Sequence, residues 1–127
     1  MDESVVFHGY ANPASTPEYY KSVDFCVFPS RRDSFDITMM EAMASGTPVI
    51  ASNRGGTAEI LTNGENALLF DPDDLDALRH GILAYSHDSS LRRKFSRNAL
   101  KTVKNYSWEN ISKRYLALYQ EIIQKKR

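Results

Sequence analysis

The chain has 127 residues, 42% hydrophobic and 25% charged, the composition of one folded domain or part of one; this excludes a disordered or fibrous protein. Its 16 basic and 16 acidic residues cancel, so no net field draws it to nucleic acid. The single cysteine, Cys26, excludes an intrachain disulfide and a thiolate zinc cluster, and no apolar run reaches the roughly 18 residues of a membrane span.

No signal peptide stands ahead of the first strand-like segment, so a cytoplasmic location is expected. That segment, SVVFHG over 4–9, reads as a short buried strand ending at Gly9. Loop chemistry follows in YANPAST, with Thr16 as an N-cap candidate and Pro17 at the first helical position, where a missing N–H costs nothing. DFCVFPS is a second strand that holds Cys26 as a buried thiol and closes at Pro29 and Ser30. A helix over 36–45 comes next, with Ile37, Met40 and Ala44 expected on its core side and Gly46 at the left-handed position past its end. TPVIAS is a third strand, NRGG a tight glycine loop, TAEIL a short helix, TNGEN a turn and ALLF a fourth strand ended by DPDD.

Beyond this point Leu75, Leu78, Ile82 and Tyr85 keep helical spacing. So do Leu91, Phe95, Ala99 and Val103, and then Ile111, Tyr115, Leu118 and Ile122. Three amphipathic helices are expected, with joints at HDSS and NYS. Short, nearly continuous apolar strands alternating with helices indicate an α/β fold: a parallel sheet covered on both faces, with a helical C-terminus. A ligand crevice in such a sheet lies outside the carboxyl ends of the strands, here at PSRRDSFD and SNRGGT.

At that edge Asp36 precedes the helical run ITMMEAMA and reads as its N-cap. The amides of Ile37, Thr38 and Met39 then face an anion site, with Arg31 and Arg32 just before them. Glu41 lies about 7 Å further along the axis, on the side of Thr38 and Ser45. An anion site with a carboxylate beside it suits a phosphate next to a vicinal diol, such as a ribose. The plainer reading stays open here: Asp36 as a cap only, Glu41 as a surface residue, and the two arginines as a solvated pair. Gly55 and Gly56 either approach a ligand through their backbone or simply make a tight strand-to-helix turn. His8, His80 and His87 are isolated on different elements, so no metal site is expected.

The run from VFHGY through VDFCVFPSRRDSFDITMMEAMASGTPVIASNRGGTAEILTNGENALLFDPDD to YSWENISKRYLALYQEI resembles the C-terminal, donor-binding half of the retaining group 1 (family 4) glycosyltransferases with the GT-B fold. The similarity spans residues 5–124 and rests on PS, acid-x-F, EAMASGTPVIAS, GGxxE and a closing SWE, in that order. It implies a Rossmann-like partial C-terminal domain that binds a nucleotide diphosphate sugar, with no further cofactor and no metal. The implied roles are Asp33 at the donor sugar, as the catalytic acid of the family's pair, and Glu41 at the ribose hydroxyls. Asp36, Ile37 and Thr38, after Phe35, would offer amides to phosphates and sugar, with Arg32 nearby and Gly55, Gly56 and Glu59 on the family's GGxxE. The acceptor, whether glycan, lipid or small molecule, would be bound by an absent N-terminal domain. The resemblance also leaves room for peripheral membrane association of the complete enzyme.

Three residues depart from the pattern. Asp33 replaces the usual glutamate and is one methylene shorter; Asp36 and Ala67 replace usual glycines. Asp36 matters most, because a carboxylate cap competes with phosphate for the helix amides. By itself the chain is expected to bind donor weakly and not to catalyse transfer. Two alternatives stand beside this reading: a degenerate, non-catalytic module of the same fold that serves in protein association, and a half enzyme whose other half is a separate polypeptide. Trp108, Tyr115 and Tyr119 on the last helix are read as core aromatics, with partial exposure as the alternative.

Overall fold

In a computed structural model, residues 4–32 and 34–125 are described, Thr57 by its backbone alone. Three strands pair in parallel in the order β1 (Cys26–Phe28), β2 (Val49–Ser52) and β3 (Leu68–Phe70). Cys26 stands opposite Val49, and Ile50 opposite Leu68, so all three carboxyl ends reach one edge. The helices are α1 (Thr16–Ser22), α2 (Ile37–Ala44), α3 (Leu75–His87), α4 (Ser89–Lys104) and α5 (Trp108–Lys125).

Strand alternation divides the core in two. On one face Cys26, Phe28, Val49, Ala51 and Leu69 meet Met39, Ala42 and Met43 of α2 and Ala99 and Val103 of α4. On the other, Val27, Ile50, Leu68 and Phe70 meet Leu78, Ile82 and Tyr85 of α3, with Phe95 of α4. Tyr85 and Phe95 pack edge to face, their ring centroids 5.5 Å apart, and the buried Tyr85 hydroxyl donates to the Val49 carbonyl at 3.3 Å. Burial pushes the Tyr85 phenol well above its ordinary range. The Cys26 thiol is half-buried and raised for the same reason.

The structure corrects several expectations. Residues 4–9 form no strand: Phe7 is 79% exposed, with Val5 and Val6 also exposed. A strand needs a hydrogen-bonded neighbour, and no strand lies beyond β1 among the described residues. The chain enters α1 through a 3-10 turn, Pro13–Ser15, capped by Asn12, whose side chain accepts from the Ala14 amide. Thr16 is therefore inside the helical run and not its cap.

The core side of α2 is Met39, Ala42 and Met43, all fully buried, with Met40 partly buried against the same cluster as expected, while Ile37 is 63% exposed and Ala44 is exposed. Nearly every residue of ITMMEAMA is apolar, so two phases compete on hydrophobicity alone. Packing favours the one that sets the small Ala42 against the sheet. TAEIL shortens to a 3-10 turn, Gly56–Glu59, and Leu75 at the start of α3 is exposed.

Helix α5 stands apart: Trp108 is 89% exposed, and Tyr115, Leu118, Tyr119 and Ile122 are exposed too. The core reading of Trp108, Tyr115 and Tyr119 is thereby overturned. Helical periodicity marks the apolar face, but no other described element covers it.

Candidate functional site

Three connections meet at the carboxyl edge of the sheet: the loop from β1 to α2, the loop after β2, and the DPDD segment after β3. Asp33 lies outside the described residues.

Asp36 caps α2. Its side chain accepts from the Met39 amide at 3.0 Å and from the Thr38 hydroxyl, while its carbonyl accepts from the Met40 amide at 3.3 Å. Capping thus engages the third amide of the helix. The first two, on Ile37 and Thr38, have no acceptor among the described residues. They point along the start of the helix, where its dipole favours negative charge.

Glu41 is exposed one turn on, and Phe35 and Ile37 are exposed beside the same helix start. The Tyr20 phenol is raised first by burial, then by the Glu41 carboxylate, the Cys26 thiol and the Asp36 carboxylate. Tyr20, near the end of α1, packs against the core cluster that holds Met39, Ala42 and Met43 of α2.

Sequence reasoning named Arg31 as a charge for the anion site but missed the ion pairs that order this edge. Arg31 pairs with Asp73 and donates to the Pro72 carbonyl at 3.2 Å. Arg54 pairs with Asp71 and Asp73, each at 2.8 Å. Asp73 therefore accepts from two arginines that leave different strands. Arg31 first, then Arg54, hold its carboxyl below the usual carboxylate range. The Asp71 carboxyl is lowered first by the Asp73 amide, at 2.9 Å, and then by Arg54. The Arg54 guanidinium is raised in turn by its bonds to Asp71 and Asp73. Arg31 is thus committed to this network, whereas Arg32 is exposed and forms no ion pair among the described residues. The partners lie some forty and twenty positions apart in the chain. Only the parallel topology brings them together.

The glycines now separate. Gly55 has φ +80°, a left-handed turn conformation. A Cβ on Gly56 would stand 1.9 Å from the Ser34 carbonyl oxygen. Gly56 is small so that the loop after β2 can pack on the loop after β1, which favours the tight-turn reading over backbone contact with a ligand. Glu59 is exposed at the end of the 3-10 turn.

Among the described residues no group of three or more His, Cys, Asp or Glu side chains is placed to hold a metal ion. No described helix is long and apolar enough to cross a membrane.

Residues 1–102 match the model of the family described as glycosyl transferases group 1. An uncharacterized glycosyltransferase of Methanocaldococcus jannaschii is 38% identical over 117 residues, which cover 91% of this chain and 30% of that protein. The sucrose-phosphate synthase of Thermosynechococcus elongatus superposes with a TM-score of 0.87 at 32% identity, over 98% of this chain and 31% of its own. Anabaena HepE, solved in complex with UDP-glucose, superposes with a TM-score of 0.76 at 25% identity, over 82% of this chain and 28% of its own. The chain thus spans about 30% of the length of these relatives.

Proposed function

For a chain that belongs to the group 1 glycosyl transferases, we propose that its carboxyl edge is the nucleotide-sugar side of a transfer site. The whole enzyme moves a sugar from a nucleotide diphosphate to an acceptor with retention of configuration. The observation that carries this reading is the start of α2, with Ile37 and Thr38 amides unengaged among the described residues and Glu41 exposed one turn beyond. The amides and the helix dipole take the diphosphate, and Glu41 accepts from the ribose hydroxyls. Asp33, eight positions before Glu41, serves the donor sugar. Phe35 and Ile37 offer apolar contact at the rim, and Arg32, without an ion pair among the described residues, supplies a cation near it. Gly55 and Gly56 act by holding the loops together.

Charge develops on the diphosphate as the glycosidic bond breaks. Amides and cations already aimed there stabilise it without reorganising, and the acceptor attacks from the same face. The acceptor site belongs to a part of the enzyme outside this chain. The acceptor is a glycan, a lipid or a small molecule, and a lipid would bring the enzyme to a membrane surface. No metal is needed at the diphosphate, and the location is cytoplasmic, where nucleotide sugars are made.

A second reading has one feature in its favour. Asp36 sets a carboxylate at the helix start, where it repels phosphate, as a degenerate module serving protein association would tolerate. Ligand-observed NMR of the chain against UDP-, GDP- and ADP-sugars, repeated with Glu41→Ala, separates the two. Binding of one nucleotide that is lost in the variant supports the transfer site. Silence across the panel, also after Asp36→Gly, favours the module.

A further inference from the structure

Resting on the donor-site reading, the geometry points to Asp73 as a positioning residue. Through Arg31 and Arg54 it clasps the two loops that carry the candidate donor groups.

Three observations converge. Arg31 opens the segment that runs through Phe35 to the amides of Ile37 and Thr38, unengaged among the described residues, and it binds Asp73. Arg54 leaves β2 immediately before Gly55 and Gly56, and it binds Asp73 through the other carboxylate oxygen, Oδ2, at 2.8 Å. Gly56 then touches the Ser34 backbone, so the two loops meet a second time inside the segment that Arg31 opens. The loop before α2 is therefore fixed at its entry by a charge and in its middle by backbone packing. Asp73 itself is anchored: its amide donates to Asp71, and the Asp74 amide donates to the Asp71 carbonyl at 2.8 Å.

The second fixing point depends on shape, whereas the first depends on charge and is open to solvent. Asp73 and Arg31 side chains are 54% and 63% exposed, so salt weakens their pairing. A clasp of this kind sets how well the loop before α2 is arranged for a donor while leaving the core untouched.

The test is hydrogen exchange of the Met39 and Met40 amides, which are bonded to Asp36 at the end of the loop before α2, in the whole chain, with and without added sodium chloride, for the wild type and Asp73→Asn. Asp76→Asn, the same charge change outside the network, is the control. We expect Asp73→Asn to speed exchange roughly two- to five-fold, the span that exposed ion pairs reach. Added salt should speed the wild type toward the variant and act less on the variant, which keeps only the Arg54–Asp71 pair of the network. Exchange that is equal in wild type and variant, or a variant that keeps the full salt response, overturns the clasp. Donor titrations of the same proteins then address the donor-site reading separately. A chain that binds no nucleotide sugar, either as wild type or as Asp36→Gly, defeats that reading whatever the exchange shows. A binding wild type whose affinity is unmoved in Asp73→Asn defeats the positioning role.

Discussion

Asp36 takes the amide of Met39 at 3.0 Å and leaves those of Ile37 and Thr38 without an acceptor among the described residues. The carboxylate therefore stands beside the anion site and does not fill it. A phosphate about 4 to 5 Å from that charge would meet about 3 to 4 kcal/mol of repulsion at an effective dielectric of 20, before salt screening.

Asp36→Gly should accordingly strengthen nucleotide-sugar binding about tenfold or more, since even 1.4 kcal/mol of relief suffices. Glycine is itself a fair N-cap, so stability should fall by only a few tenths of a kcal/mol. Titration calorimetry with a nucleotide sugar, paired with a urea melt, checks both halves. Unchanged affinity at unchanged stability would mean that phosphate does not approach the α2 start.

Gly56 lies against the Ser34 carbonyl so closely that any side chain forces the two loops apart. Gly56→Ala should cost about 2 kcal/mol or more, because backbone and not a flexible side chain has to move. Gly55→Ala should cost about 1 to 2 kcal/mol from its left-handed backbone alone. Urea denaturation measures each. A Gly56→Ala midpoint equal to wild type would show that the loops are not packed as described.

Acid should unfold the chain partly through three carboxylates. Asp71 is held low first by the Asp73 amide, Asp73 by Arg31 and Arg54, and Asp88 by the Leu91 amide and the Ser90 hydroxyl at the start of α4. A carboxyl whose folded pKa lies below its unfolded value adds stability above the unfolded value and loses it as pH falls through the folded one. The urea midpoint should hold down to about pH 5 and fall progressively below about pH 4. In Asp88→Asn the amide still caps but no longer titrates, so the fall should be shallower. A wild-type midpoint constant between about pH 5 and 3 would remove these groups from the account.

Local signals were legible in proportion to how local their causes are. Asp36 as a cap, Gly46 at φ +82° and the helical spacing of Leu78, Ile82 and Tyr85 depend on neighbours a turn away, and the structure has them as read. The phase of α2 was not legible, because an apolar helix offers two core faces and only the sheet and α4 choose between them. The network of Arg31, Arg54, Asp71 and Asp73 was invisible for a different reason. Each of those residues looks like a solvated loop charge until parallel pairing aligns the three strand ends. The segment over 4–9 has strand composition, but composition supplies no neighbour.

Helix α5 lacks a covering neighbour among the described residues in the same way, over a larger surface. Its apolar stripe is as regular as that of α4, yet Tyr115, Leu116, Leu118, Tyr119, Ile122 and Ile123 are exposed. Side chains already in water contribute little to folding, so replacing them should shift stability by no more than about 0.5 kcal/mol. A contiguous apolar patch, by contrast, favours association. Leu118→Glu combined with Ile122→Glu should therefore leave the unfolding midpoint in place while lowering the average mass seen in sedimentation at high concentration. A loss of more than about 1 kcal/mol in a dilute monomeric sample would mean that α5 packs on its own chain, contrary to the exposure described.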